Sequence, residues 1–244
     1  MKKSISTFVL FLTVFIHGSA LAEEKPDDKK ITGLWKATAE LGYVSTSGNT
    51  NTETLNTKAS ATTDREKWHH KIEFTALKSS DGNTTTADKY TLMGQSDYKL
   101  KKPSFLFVLA SYEDDAFSGY DYQATESVGY GRRVVEESNL SLDLEIGPGV
   151  RQSKLSTGES ENETIVRAAA KLDWAISKTS NFNEVLTIEA GEDTTITKSV
   201  TSLSSKINGS LSMKITYTYK NTSDVPVGDD TDTETAITLV YNFN

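Results

Sequence analysis

The sequence predicts an all-β protein, an antiparallel up-and-down transmembrane β-barrel of about twelve strands. Three observations carry that reading. From Leu34 onward apolar and polar residues alternate with period two, which puts successive side chains on opposite faces of a strand. The alternating segments are long, near the roughly 9 to 11 residues a tilted strand needs to cross hydrocarbon and beyond the roughly 5 or 6 usual in soluble sheets. Aromatic residues gather at the segment ends, as they do at the two interfaces of a bilayer.

The first residues set the compartment. Lys2 and Lys3 precede an apolar stretch from Phe8 to Ile16 and the small-residue ending Ala20-Leu21-Ala22, so residues 1–22 read as a secretory signal peptide. Residues 23–33 begin with the charged, aperiodic EEKPDDKK and read as a linker, leaving 34–244 for the barrel.

The strands follow in order. Trp35, Ala37, Ala39, Leu41 and Tyr43 define the outward face of the first, and Leu55, Thr57, Ala59 and Ala61 that of the second. Trp68, His70, Ile72, Phe74 and Ala76 mark the third; Tyr90, Leu92, Tyr98 and Leu100 the fourth. A fifth, Phe105 to Glu113, is apolar on both faces at its start, and a sixth runs from about Tyr120 to Val134. Leu140, Leu142, Leu144 and Ile146 give the seventh, Val166 to Ile176 the eighth, and Phe182, Leu186, Ile188 and Ala190 the ninth. Thr194 to Lys206 is a tenth strand of ambiguous face. Leu211, Met213, Ile215, Tyr217 and Tyr219 define the eleventh, and Ile237, Leu239, Tyr241 and Phe243 the last.

Connections also alternate. Thr63 to Lys67, Lys101 to Ser104, Glu136 to Asn139, Lys178 to Asn181 and Asn208-Gly209 are expected as short turns on the rim that holds both termini. Ser79 to Asp88, Asp114 to Gly119, Ser153 to Glu163 and Asn221 to Glu234 are expected as longer loops on the other. Trp35, Trp68, Tyr98, Phe105, Tyr130, Trp174, Phe182, Tyr241 and Phe243 would form the girdle by the short turns, with Trp35, Trp68, Trp174, Tyr241 and Phe243 its clearest members. Tyr43, Tyr90, Tyr112, Tyr120, Tyr122, Tyr217 and Tyr219 lie toward the long-loop ends. Two places resist: Glu126 falls on a lipid-facing face, so a bulge or a misread register is expected there, and Pro148 cannot donate to a ladder and is expected at a bulge near the outer rim.

Composition narrows the function. The net charge of −8, which becomes −10 (24 basic against 34 acidic residues) once Lys2 and Lys3 leave with the signal peptide, argues against nucleic acid as a partner and against an electrostatic grip on anionic lipid. No cysteine is present for a disulfide framework or thiolate metal site. Mean hydropathy of −0.44 and 36% hydrophobic residues would suit a soluble protein, yet an apolar exterior averaged with a polar interior gives the same numbers.

The opening strand WKATAELGYVSTSGNTNTETLN, the GYGRR run at Gly129 to Arg133, the GPGVR run at Gly147 to Arg151 and the ending AITLVYNFN resemble the DUF481 family, which includes YdiY-like salt-induced outer membrane proteins. The resemblance covers about Leu34 to the C-terminus. It implies a β-barrel in the bacterial outer membrane, a link to salt or osmotic stress, and no catalytic residues. The ending also looks like a signal for barrel-assembly machinery, with Asn244 following the terminal Phe243.

Inward-facing Lys58, Lys71, Glu73, Asp97, Lys99, Asp143, Glu145, Arg167, Lys171, Asp173 and Lys214 would line one lumen, as a hydrated passage for ions or small solutes or as salt bridges that close it. Outer-membrane lipid is the expected surrounding. No cofactor, metal or catalytic set is expected. The acidic run from Asp224 to Glu234 lacks calcium-loop spacing. An outer-membrane lipid hydrolase would need His70 beside a serine on the lipid-facing side, and a soluble exported β-sandwich that binds a ligand would draw aromatics to strand centres instead.

Overall fold

The computed structural model describes residues 34–46, 51–101 and 103–243. The expected signal peptide and linker, the Ser47 to Asn49 part of the first hairpin, and Asn244 lie outside them.

Twelve strands follow one another: β1 Trp35–Thr46, β2 Thr52–Asp64, β3 Trp68–Asp81, β4 Thr84–Lys99, β5 Ser104–Asp115, β6 Tyr120–Glu136, β7 Leu140–Leu155, β8 Ser160–Ala175, β9 Ser180–Ala190, β10 Thr195–Lys206, β11 Leu211–Thr222 and β12 Thr231–Phe243. Each pairs with its sequence neighbours, and β1 pairs with β12 from Ala37↔Phe243 to Leu41↔Leu239, closing the barrel. Closure leaves no sheet edge, which is what permits a sheet to stand in hydrocarbon.

Period-two sorting fixes the faces. On β5, Phe107 is 1% exposed and Val108 57%, so adjacent residues of similar hydrophobicity meet opposite surroundings. Leu41, Ile72, Leu92, Ile146, Val166, Ile215 and Leu239 stand on the exterior. Aromatic belts bound that band. Near the termini Trp68 meets Tyr98 edge-on at 5.0 Å and Tyr241 meets Phe243 at 4.8 Å, while Trp35 and Trp174 are exposed beside them. Toward the other rim Tyr90, Tyr112 and Tyr122 stack in a row at 6.1 and 5.6 Å.

Several expectations need correction. The long loops are mostly strand. β3 runs to Asp81 and β4 starts at Thr84, with Gly82 at φ 57° making the tight turn that a side chain would disfavour. The Thr-rich ends simply keep pairing beyond the tyrosine belt, since threonine suits a pleated half-exposed surface; a long connection survives at 223–230. Glu126 sits at no bulge: it faces outward in register with Ala110 and Val150, and β6 shifts register instead between Tyr120 and Tyr122 and between Arg133 and Val135. Pro148 is likewise mid-strand and in register opposite Val166, where its missing N–H falls on the β6 side and the β6–β7 pairing lapses locally. Phe105 faces the lumen rather than the girdle, and Tyr120 is buried. The ambiguous tenth strand turns Thr197, Ser199, Thr201 and Leu203 outward, opposite Ile188, Leu186, Glu184 and Phe182.

Candidate functional site

The candidate site is the lumen. The same alternation that clothes the exterior in apolar side chains sends the charged residues inward, and the barrel brings together charges far apart in sequence. Beside the short turns, Lys99 donates to Asp64 at 2.5 Å, His69 lies 3.3 Å from the same carboxylate, and Arg133 grips Asp143 with two bonds of 2.7 and 2.8 Å. Asp173, near this rim, accepts from Asn181 and Asn183. Along the wall, Glu73 lies 2.9 Å from both Lys58 and Lys71, and Lys214 donates to Glu40 at 3.0 Å. These contacts link strands that are adjacent or one apart, and they leave the centre alone.

Other contacts cross it. Glu145 of β7 accepts from Lys171 at 2.6 Å and Arg167 at 3.1 Å of β8, and from Gln95 of β4 at 3.0 Å. Gln95 in turn donates to Asp97 at 2.8 Å and accepts from Lys171 at 2.9 Å. This knot ties β4 to the β7–β8 wall. Glu145 is buried at 4% exposure, so its charge is satisfied by protein donors. The structure thus gathers Asp97, Glu145, Arg167 and Lys171 of the sequence-expected set at one level, while Lys58, Lys71 and Glu73 meet at another part of the wall and Lys99, Asp143, Asp173 and Lys214 stand apart.

A second crossing lies nearer the far rim. Lys220 of β11 donates to Glu113 of β5 at 2.6 Å. Five strands lie between β5 and β11 either way around the barrel, so this ion pair spans the full lumen. Lys89 reinforces it, 3.2 Å from both Glu113 and Asp115. Glu113 pairs laterally with Thr91 and Leu109 with Gln95, which puts the two crossings four residues apart along β4 and β5. Arg151, on a neighbouring part of the wall, is bonded to Glu163 and to the Thr194 carbonyl. Around these crossings remains a cavity of about 710 Å³ lined by charged and apolar groups.

The lumen is also narrowed by rings. Phe105, Phe107 and Leu109 point inward from β5, and the Arg167 guanidinium lies 5.7 Å from the Phe107 ring centre, a cation–π contact. Space for these rings comes from glycine. A Cβ on Gly131 would lie 2.2 Å from the Phe105 ring and one on Gly129 2.7 Å from that of Phe107. A Cβ on Gly147 would lie 2.0 Å from the Val128 carbonyl oxygen, so β6 and β7 themselves approach too closely for any side chain there. The GYGRR glycines therefore seat the inward rings of β5, and the GPGVR glycines let β7 approach the β6 backbone closely.

Sequence reasoning missed Glu40, Lys89, Gln95, Glu113, Arg151, Glu163, Glu189, Lys198 and Lys220 as inward groups. Alternation could have found Glu40, Gln95 and Lys220, which occupy the polar positions of segments whose faces were clear. Glu113 was hidden by the two-faced apolar start of β5, and Lys198 by the ambiguous face of β10.

On the exterior, His70 Nδ1 lies 2.9 Å from Ser96 Oγ and the imidazole stacks on Trp68 at 5.7 Å. Among the described residues no carboxylate hydrogen-bonds His70, so the pair lacks the group that would orient a general base. Nor, among the described residues, do three His, Cys, Asp or Glu side chains cluster so as to hold a metal ion.

The model of the family described as "Protein of unknown function, DUF481" matches residues 39–243. The uncharacterized protein YdiY of Escherichia coli (strain K12) is 28% identical over 209 residues, 83% of this chain and 81% of that protein. Among solved structures the chain is similar to the NanC porin, with TM-score 0.52, 11% identity and coverage of 86% of this chain and all of that one. It is similar also to the COG4313 outer membrane channel of Pseudomonas putida F1, with TM-score 0.51, 10% identity and coverage of 91% and 100%. At these identities the two structures share the fold with this chain. The family match runs from within β1 to β12 and includes the GYGRR and GPGVR runs: the chain belongs to the DUF481 family.

Proposed function

We propose that this protein is a non-enzymatic outer-membrane barrel that provides a narrow passage for ions or small solutes, held closed by ion pairs across the lumen and linked to salt or osmotic stress. The observation that carries the reading is the Glu113–Lys220 pair between opposite strands. A barrel of this strand number is wide enough that side chains need not fill it, and here charged side chains meet in the middle. Such a closure weakens with salt where the cavity brings ions to it: the Debye length falls from about 8 Å at 0.15 M to about 3 Å at 1 M, so as salt falls bulk ions screen the charges bordering the cavity less and the pair grips more firmly. An export signal, the apolar exterior and two aromatic belts support outer-membrane placement.

Planar-bilayer conductance of the refolded protein tests this. The wild type is expected to conduct little at low salt and to gain conductance faster than the bulk solution as salt rises; an E113Q/K220Q variant conducts at low salt. Equal conductance of variant and wild type at every salt concentration refutes the closure. The Ser96–His70 contact keeps one rival specific, lipid hydrolysis at the exterior. A purified protein that releases no fatty acid from phospholipid vesicles removes it.

A further inference from the structure

The ion pairs of the lumen leave one lysine over. Lys198 faces inward from β10 and borders the cavity. Its lateral neighbour on β11 is Lys220 and on β9 Thr187, so two lysines stand side by side on the inner wall, where like charges placed directly opposite one another repel. Lys220 has Glu113 at 2.6 Å, whereas Lys198 has neither a hydrogen bond nor an ion pair among the described residues. The surrounding charges do not make up the difference. Lys89 and Lys220 share Glu113 and Asp115, and Lys58 and Lys71 share Glu73. Lys198 lies within electrostatic reach of Glu113, Glu73, Lys89 and Lys220, so both groups act on it. Lys58, Lys71, Lys89, Lys198 and Lys220 thus stand against Glu73, Glu113 and Asp115, five charges to three. A lysine withdrawn into a wall keeps its charge where water or an anion meets it, and the cavity has room for either.

We infer that Lys198 and Lys220 form a luminal binding site for a small oxyanion, a carboxylate or phosphate group that bridges the two ammonium groups. Each ammonium has three donors and no acceptor, and the oxyanion supplies the acceptor oxygens that Lys198 does not find within the chain. An anion seated on Lys198 competes with Glu113 for Lys220, so its binding loosens the pair that crosses the lumen. The surplus of positive charge at this level also favours anions over cations as the species that pass. The loosening rests on the closure proposed above; the binding site stands on Lys198 and Lys220 alone.

Calorimetric titration of the refolded full chain with inorganic phosphate, in an uncharged detergent at fixed ionic strength, tests the site. The wild type is expected to bind phosphate saturably. Lys198→Gln removes a charge that has no partner, so it retains heat-modifiable mobility, and it is expected to bind at least about tenfold more weakly through loss of a charged hydrogen bond. Lys198→Arg restores most of the affinity, and Lys78→Gln, at an exposed position on β3, binds as the wild type does. In planar bilayers at the same ionic strength, exchange of chloride for phosphate raises the conductance of the wild type relative to that of the bulk solution and leaves Lys198→Gln unchanged. A wild type that shows no saturable binding, or Lys198→Gln that binds as tightly as the wild type, overturns the site. Phosphate that binds through Lys198 and leaves conductance unchanged overturns the competition for Lys220. A wild type that conducts under no condition removes the passage, while the calorimetry still decides the site.

Discussion

Removing one end of the transluminal pair should not cost the same as removing the other. Lys220 and Glu113 have side chains only 10% and 16% exposed, so the charges are largely withdrawn from water. Lys220→Gln leaves Glu113 with Lys89 at 3.2 Å; the loss is one charged hydrogen bond, about 1.5 kcal/mol. Glu113→Gln leaves Lys89 and Lys220 facing each other with Asp115 as the nearby counter-charge. Stranding buried charge costs about 3–5 kcal/mol, and the hydrated cavity beside the pair puts this case near the lower end, about 3 kcal/mol. The double variant has one fewer stranded lysine, so it should be less destabilised than the sum, by about 1 kcal/mol or more. Urea unfolding in lipid vesicles, followed by the fluorescence of Trp35, Trp68 and Trp174, measures all three. Additivity within about 0.5 kcal/mol would refute the direct ion pair between β5 and β11, and a Lys220→Gln cost equal to that of Glu113→Gln would refute the compensation by Lys89.

Two further outcomes follow from the wall. Gly131→Ala should destabilise by about 1–3 kcal/mol through overlap with the Phe105 ring and be relieved by Phe105→Ala, whereas Gly147→Ala, whose Cβ meets the Val128 carbonyl, should not be relieved by truncating any side chain; comparing unfolding midpoints of the double variants checks this. Glu126→Leu replaces an outward carboxylate by an apolar group in the lipid-facing band and should stabilise by about 1 kcal/mol in the same unfolding assay, and a loss of stability there would mean that Glu126 has a partner in the membrane.

Much of the barrel was legible because one face of each strand meets hydrocarbon and one does not. β1, β3, β8, β11 and β12 show that contrast residue by residue, as in Leu211, Met213, Ile215 and Tyr217 against Ser212, Lys214 and Thr216. β10 did not, for a reason the structure supplies: its outward residues are hydroxylated, so the two faces differ little in hydropathy. β5 failed in the opposite sense, since Phe105, Phe107 and Leu109 face inward while Leu106 and Val108 face lipid. Loop lengths misled because a threonine-rich stretch reads equally as a polar loop and as a strand that continues past the membrane. Which inward charges meet one another was not legible, because alternation orders residues along a strand and not around the circumference.

Alternation says which residues point into a barrel but is silent about where around the circumference each strand stands, and closure depends on that angle. Lys58 and Glu73 come from adjacent strands, so their pair coats the wall; Glu113 and Lys220 come from opposite strands, so theirs crosses the lumen. Both pairs look the same in the sequence, a lysine and a glutamate at inward positions. A lumen lined with both signs of charge is therefore compatible with an open pore when the partners are lateral and with a shut one when they are diametric. Here both kinds occur at different parts of the same lumen, and the diametric pair is the one that draws on side chains long enough to meet at the centre: a lysine from one wall and a glutamate from the other, with Lys89 holding the glutamate in place from its own neighbouring strand. Release of Lys220 from Glu113 is a side-chain rearrangement that leaves every strand pairing intact.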